Sequence, residues 1–277
     1  MQYQVTERGI VIHDVEQFDP VHILSCGQIF RYTEDDGVFT VYTRDKRCRI
    51  VRDACAWIIL TDDVPYFVEY FDLARDYNDV KRVVSVIPVM QDATRFGSGI
   101  RILKQDFFEM IISFIISANN HIPRIKSIIE KICASLGTNM GDYYAFPTPT
   151  QLARGSAEFF RSIGAGYRAE YLENTAKRLA SEDFMSWLTL PTSVLSKRLV
   201  SLMGVGQKVA DCIMLFGAGR TDVFPVDTWI KKVYADYFGT ETNPTLIRAN
   251  LLKIFGDNAG FAQQYLFFMN RELEKKF

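Results

Sequence analysis

Between two stretches of helical composition, residues 191–203 and 207–216, the chain reads Gly204-Val205-Gly206. So short a link leaves little alternative to two helices folded back on each other as a hairpin. Glycine tolerates positive φ and lets another backbone come close, so Gly204, Val205, Gly206 and Gln207 can turn unpaired N–H groups outward where the second helix begins. Such a nest attracts anions, phosphate above all. An ordinary glycine-capped turn has the same composition, and the choice between the two rests on the residues C-terminal to it.

Lys208 falls in the first turn of the second helix, where the macrodipole and exposed N–H groups disfavour a cation by about 0.3–1 kcal/mol. A positive charge placed there can bind phosphate, or it can present an amine that gives up its proton more easily. Only the second makes a nucleophile. An ordinary lysine titrates near ~10.4, leaving roughly one amine in 10³ neutral at physiological pH, and burial beside a helix N-terminus is expected to raise that fraction. Nineteen residues on, Asp227 follows Phe224-Pro225-Val226 and precedes a helical run. A helix cap is one reading of it; stabilising positive charge on a sugar while a glycosidic bond breaks is another.

The 277 residues are 48% hydrophobic and 13% aromatic, enough to build the cores of two modest domains. No apolar run reaches the length of a membrane span, and the segment MQYQVTERG does not read as a secretory signal, so an intracellular protein without membrane association is expected. Cys26, Cys48, Cys55, Cys133 and Cys212 are widely spaced and odd in number, which suits reduced thiols and matches no metal-site spacing. Charge is uneven: residues 1–85 hold 10 Lys/Arg against 15 Asp/Glu, and residues 86–277 hold 22 against 18. The portion carrying the hairpin is therefore mildly basic.

The first sixty residues alternate in strand fashion at 9–13, 28–32, 39–43, 47–52 and 56–60, with turns at Asp35-Asp36-Gly37 and Arg44-Asp45-Lys46. Helical signal begins at Tyr66 and runs to about Val84; an extended stretch is expected from 88 to 99. After Leu103 the pattern predicts helices at 105–118, 123–136, 150–154, 157–163, 168–181, 192–202, 207–216, 228–238, 244–255 and 260–275. The expected class is α+β: an N-terminal β-rich domain over 1–85 and an α-helical domain over 86–277, with the hairpin at about 192–218.

The segments LMGVGQKVADC and VFPVD resemble the helix-hairpin-helix (HhH-GPD) DNA glycosylases, in which a hairpin is followed by a Gly/Pro-rich loop and an aspartate. The resemblance implies that Lys208 is the nucleophile and Asp227 the family's aspartate. Relatives that remove alkylated bases without lyase activity keep the aspartate and lack the lysine. The chain between about Gly27 and Phe267 is similar to the 8-oxoguanine glycosylase/lyases in particular. That likeness implies a TBP-like antiparallel sheet before the helical domain. It also implies double-stranded DNA carrying 8-oxoguanine as the partner, a monomer, and a cytoplasmic, nucleoid-associated or nuclear location. With no cysteine in 237–277, an iron–sulfur cluster is not expected, no other cofactor or metal is implied, and a monovalent cation at the hairpin is compatible with it.

Four segments carry the closer likeness. Cys26-Gly27-Gln28-Ile29-Phe30-Arg31 is expected at the start of the second strand. Guanine offers N7 as an acceptor where 8-oxoguanine carries a hydrogen, so a carbonyl at Gly27 could tell them apart. In Ser117-Ala118-Asn119-Asn120-His121-Ile122-Pro123-Arg124, a helix stops and another starts; the resemblance makes Asn119 the wedge filling the hole left by a flipped base, and Arg124 with Arg168 the readers of the estranged cytosine. His121 stands where the family commonly has a third asparagine. Gly164-Ala165-Gly166-Tyr167-Arg168 offers Tyr167 to wedge or stack, or else is a flexible connection. Gln263 and Phe267, four apart in a helical segment, share a face: an amide could read the base's Watson–Crick edge and, with Cys212 four beyond Lys208, the ring could sandwich it. Trp229 departs from the histidine of the best-known eukaryotic members and puts a phosphate contact there in doubt. An alkylated-base glycosylase and a non-catalytic binder of damaged DNA are the competing readings; Lys208 and Gly27 count against the first, and the Lys208/Asp227 pair against the second.

Overall fold

A computed structural model describes residues 1–274. Its N-terminal part is a six-stranded antiparallel sheet of order β1-β2-β6-β5-β4-β3, made of β1 (Tyr3–Thr6), β2 (Gly9–Ile12), β3 (Tyr32–Asp35), β4 (Val38–Thr43), β5 (Lys46–Asp53) and β6 (Ala56–Leu60). Alternation selects the covered face. Phe39 and Val41 pair with Ile50 and Cys48, and all four are buried while Thr40, Arg47 and Arg49 are not. That face packs on α1 (Pro20–Ser25) and α2 (Val64–Tyr70) through Ile23, Phe67 and Tyr70.

The expected strand at 28–32 is a correction: β3 begins only at Tyr32, and the preceding residues form an irregular buried connection. Gln28 explains why. Its amide donates to the carbonyls of Ile23 (2.9 Å) and Arg101 (2.7 Å) and accepts from the Leu103 N–H (2.9 Å), which ties the segment's start to α1 and to residues 101–103, and it meets the sheet only where the Arg31 carbonyl accepts from the Tyr42 N–H (3.0 Å). Two elements lay outside the sequence reading. These are β1 and α1, although Asp19 caps α1 and Pro20 opens it.

The remaining helices are α3 (Tyr77–Val84), α4 (Pro88–Phe96), α5 (Phe107–Ser117), α6 (Ile122–Leu136), α7 (Pro149–Leu152), α8 (Ala157–Ser162), α9 (Ala169–Ser181), α10 (Thr192–Val200), α11 (Gln207–Gly217), α12 (Thr228–Tyr237), α13 (Pro244–Phe255) and α14 (Ala259–Glu274). The stretch expected to be extended from 88 to 99 is mostly α4, a second correction. Ile87 is extended, as the residue before a proline tends to be, and Pro88 then opens a helix that buries Val89, Met90 and Ala93. The last residue of the expected 260–275 helix lies outside the described residues.

The helices form two packs. One surrounds α5, whose Ile111 and Ile115 are fully buried, with Ile129 of α6, Leu172 of α9, Leu199 of α10 and Ile213 of α11. The other joins α4, α12, α13 and α14 through Met90, Ile230, Leu251 and Leu266. Between them α11 faces α14 closely enough that a Cβ at Gly260 would stand 2.4 Å from Leu215. Among the described residues no helix is long and apolar enough to cross a membrane.

One buried carboxyl links sheet to helices. Glu109 of α5 accepts from the Arg44 N–H in the β4–β5 turn (2.9 Å) and lies 4.0 Å from the Arg31 guanidinium. Burial pushes it up to about 7, against the lowering effect of Arg31. A carboxyl raised in the folded state contributes stability that is complete below the ordinary glutamate range, about 4.3, and is lost as pH rises through the folded value. The unfolding midpoint should therefore fall between those limits, and Glu109→Gln should flatten the fall. Parallel curves for the two proteins would place the titration elsewhere.

Candidate active site

The hairpin forms as its composition demands. Gly204 takes φ +82, and a Cβ there would meet the Tyr171 ring at 2.3 Å. Gly206 is different: its φ is −88 and a Cβ would meet nothing within 4 Å, so it leaves open space at the N-terminus of α11. Val205 does not join an outward nest. Its side chain is buried and its N–H closes the turn onto the Leu202 carbonyl at 3.1 Å, so of the four expected phosphate contacts it serves as the hairpin's anchor. Gln207 is exposed, yet its amide donates to Asp211 (2.9 Å) and Ser196 (3.1 Å).

Lys208 is half-buried, with Cys212 one turn along α11 lining the same cavity. Its Nζ lies 5.9 Å from the Phe114 ring centroid. Asp227 caps α12, accepting from the Ile230 N–H at 2.9 Å, and also lines a cavity with Lys208. Capping and chemistry are therefore not alternatives here: the cap bond fixes the carboxylate's position.

That cavity, of about 50 Å³, lies on the seam between the two packs and is lined by Gly27, Phe114, Lys208, Cys212, Asp227, Gln263 and Phe267. Five elements from distant parts of the chain thus converge, and each expected base-pocket residue is among them. The half-buried Phe267 ring forms part of its wall. Gly27 has φ +83, and a Cβ on it would stand 3.2 Å from Phe267; the bare backbone is required by conformation and by space. The side-chain oxygen of Gln263 is buried without a hydrogen-bond partner among the described residues, a state that a bound base edge would relieve.

Opposed influences act on Lys208: the Cys212 sulfur foremost and Asp227 in addition raise it above the ordinary lysine range, and burial lowers it. Cys212 can exert that pull only as a thiolate, and burial pushes its own thiol up to about 11. With Cys212 a neutral thiol, the influences that remain on Lys208 are burial, which lowers it, and the smaller pull of Asp227, which raises it; the Asp227 carboxyl is itself raised by burial and lowered by its cap bond and by Lys208. The free protein thus holds an ammonium beside a carboxylate. A nucleophile appears only when that proton is passed on.

On the far side of Lys208 a larger hollow of about 410 Å³ is bounded by Gly206, Thr228, Lys231, Thr245 and Arg248. The N-termini of α11, α12 and α13 meet at it, an arrangement that favours anions. Arg248 is already paired with the buried Asp211 carboxylate, which also lines the hollow (2.5 and 2.9 Å), and this leaves Lys231 facing that space; neither residue was read from the sequence, because nothing in spacing shows that three helix starts converge. Trp229 sits nearby with Lys232 4.9 Å from its ring centroid, so cations flank the position where a histidine was expected.

The wedge residues form a second cluster. Asn119 is exposed with φ +50, a strained value that asparagine tolerates. Arg168 is buried: its guanidinium donates to the carbonyls of Ala118 (2.8 Å from Nε) and Asn119 (2.7 Å), and it stacks 4.4 Å from the Tyr167 ring centroid. In this structure Arg168 therefore braces the Asn119 loop and is not presented outward. Arg124 is exposed and bonds to the Gly164 carbonyl at 2.9 Å. Tyr167 is exposed with its hydroxyl 3.3 Å from the Ala118 carbonyl. His121 caps α6, accepting from the Arg124 N–H, a task that the asparagine it replaces could also perform.

A helical hairpin presenting an amine and a capped carboxylate, behind an antiparallel sheet, defines a DNA-repair glycosylase fold. The family comparison agrees: residues 112–256 match the HhH-GPD superfamily base excision DNA repair protein model, and residues 10–111 match the 8-oxoguanine DNA glycosylase N-terminal domain. The chain belongs to the HhH-GPD superfamily. It is 32% identical to an N-glycosylase/DNA lyase of Arabidopsis thaliana over 68% of this chain and 56% of that one, and 31% identical to an N-glycosylase/DNA lyase of Saccharomyces cerevisiae over 61% and 56%. The chain thus spans little more than half the length of these curated relatives. Among solved structures it is similar to the Clostridium acetobutylicum 8-oxoguanine glycosylase/lyase in complex with DNA containing cytosine opposite 8-oxoguanine, with a TM-score of 0.92 and 36% identity over 99% of both chains.

Two consequences are measurable. Gly204→Ala forces a side chain into the Tyr171 ring at positive φ and should weaken binding to damaged and undamaged duplexes alike; a loss confined to damaged DNA would contradict the hairpin's assigned role. Asp227→Asn removes the carboxylate that favours the charged amine. Covalent capture of abasic DNA should become slower overall, with its rising alkaline limb displaced to lower pH; an unmoved limb would mean that Asp227 does not control Lys208.

Proposed function

We propose that this protein is a bifunctional DNA repair glycosylase/lyase that flips 8-oxoguanine out of duplex DNA opposite cytosine, excises it, and nicks the strand. The observation that carries this reading is that Lys208 and Asp227 line the same cavity as Gly27, Gln263 and Phe267. The reactive amine therefore faces whatever base the pocket admits.

The Lys208 amine, once deprotonated, attacks C1′ of the flipped nucleotide; the C1′–N9 bond breaks and the base leaves with the bonding pair, taking up a proton. Asp227 lies beside the sugar carbon and offsets its positive charge as that bond lengthens. Ring opening gives a protonated Schiff base, loss of a C2′ proton breaks the C3′–O bond, and hydrolysis returns the lysine. Amine and carboxylate account for each step, so we assign no cofactor to the chemistry; a monovalent cation at the hairpin would serve DNA binding alone. The Gly27 carbonyl accepts from N7–H, which guanine lacks. Asn119 and Tyr167 fill the vacated stack, and the exposed Arg124 meets the estranged cytosine with Arg168 supporting that loop. We take the acting unit to be one monomer on double-stranded DNA, inside the cell on nucleoid or nuclear DNA.

Borohydride added during turnover of 8-oxoguanine opposite each of the four bases should trap a protein–DNA adduct, most with cytosine. Lys208→Gln should lose trapping while retaining lesion binding, because the hairpin is untouched. Excision of methylated bases in preference to 8-oxoguanine would favour the alkylated-base reading, and lesion binding without nicking by the intact protein would favour a non-catalytic binder.

A further inference from the structure

The Gly27 carbonyl and the Gln263 amide come from opposite ends of the chain, and discrimination requires them to be held in register. Two hydrogen bonds supply that register. Gln264 donates to the Cys26 carbonyl at 2.6 Å, and Arg271 donates to the Ser25 carbonyl. Both donors belong to α14, the helix that also carries Gln263 and Phe267, and both are buried. The turn bearing Gly27 is thereby tied on its N-terminal side, one and two residues away, to the helix bearing the other base-contacting residues.

Arg271 does more than bond. Gln263, Phe267 and Arg271 recur at intervals of four along one face. The Arg271 guanidinium lies 5.2 Å from the Phe267 ring centroid, and a Cβ at Gly27 would stand 3.3 Å from Arg271 Nη1. That Nη1 is buried and has no hydrogen-bond partner among the described residues. One planar cation thus stands against both the ring and the turn from behind the pocket, a task that a point charge on a flexible stem would do less well.

We infer that Gln264 and Arg271 are specificity-determining positioning residues, which set the Gly27 carbonyl against α14 so that the pocket accepts a base with hydrogen at N7 and rejects one without it. The inference rests on the proposed glycosylase function. Its physical basis is that 8-oxoguanine and guanine differ at N7 by the sign of one hydrogen bond, so a carbonyl displaced from that position loses the distinction. Cleavage of an abasic site contains no base to read. It needs Lys208 and the DNA grip, and makes no demand on the Gly27 register.

The test compares Arg271→Met, Arg271→Lys and Gln264→Leu with the wild type in two single-turnover reactions: excision from an 8-oxoguanine:cytosine duplex and strand cleavage at a preformed abasic site opposite cytosine. Excision should fall about tenfold or more in Arg271→Met and Gln264→Leu, roughly the effect of one lost buried hydrogen bond, while abasic-site cleavage persists. Arg271→Lys, which keeps a donor for Ser25, should lose less. Equal losses in both reactions, or unchanged excision, would overturn the inference. A wild-type enzyme that cleaves abasic sites and leaves 8-oxoguanine in place would instead overturn the lesion assignment on which it rests.

Discussion

A half-buried ammonium held between a carboxylate and a thiol, at the positive end of a helix, is the constraint around which this molecule is arranged. Lys208 is there because the Gly204 turn delivers the start of α11 to the seam between two helical packs. Asp227 is there because the start of α12 needs a cap. Each residue has a structural reason for its position, and their meeting in one cavity is the observation on which the proposed sugar chemistry rests. Asp227 favours the charged amine and burial disfavours it, so the two together set how readily Lys208 loses its proton.

The rest of the fold divides the remaining work. The sheet and its covering helices deliver the Gly27 turn; α14 delivers the Gln263 amide and the Phe267 ring; the loops after α5 and before α9 carry Asn119 and Tyr167. Arg168 shows how closely support and function can be mistaken for each other. Its place in a glycine-rich loop suggests a reader of bases, yet its guanidinium is taken up by the carbonyls of Ala118 and Asn119. It holds the strained Asn119 backbone in place.

Parts of the site were legible in the sequence where neighbours along a helix share a face, whereas the meeting of Gly27, Asp227 and Gln263 with Lys208 came from the family likeness alone. Lys208 and Cys212 are one turn apart, Gln263 and Phe267 likewise, and the Gly204 turn fixes a hairpin by itself. The fold was legible where period and turn residues agreed, as in β4, β5 and β6 and in the long helices. Errors fell where a segment's polar atoms found partners far away: the apparent strand at 28–32 is a buried connection because Gln28 bonds to residues 101 and 103, and α4 was missed because Pro88 reads as a breaker and acts as a helix start. Lys231, Arg248 and Arg271 were invisible for the same reason. Their importance lies in which helix ends and turns they meet, and no spacing along the chain encodes that.

The central claim is that Lys208 forms the covalent bond to DNA. The most direct measurement is mass spectrometry of the proteolysed adduct after borohydride reduction on an 8-oxoguanine duplex. The account predicts the reduced sugar remnant on the Lys208 side chain, in a peptide that also contains Asp211 and Cys212. A remnant on Lys231, on another lysine or on an α-amine, with Lys208 unmodified, would contradict it.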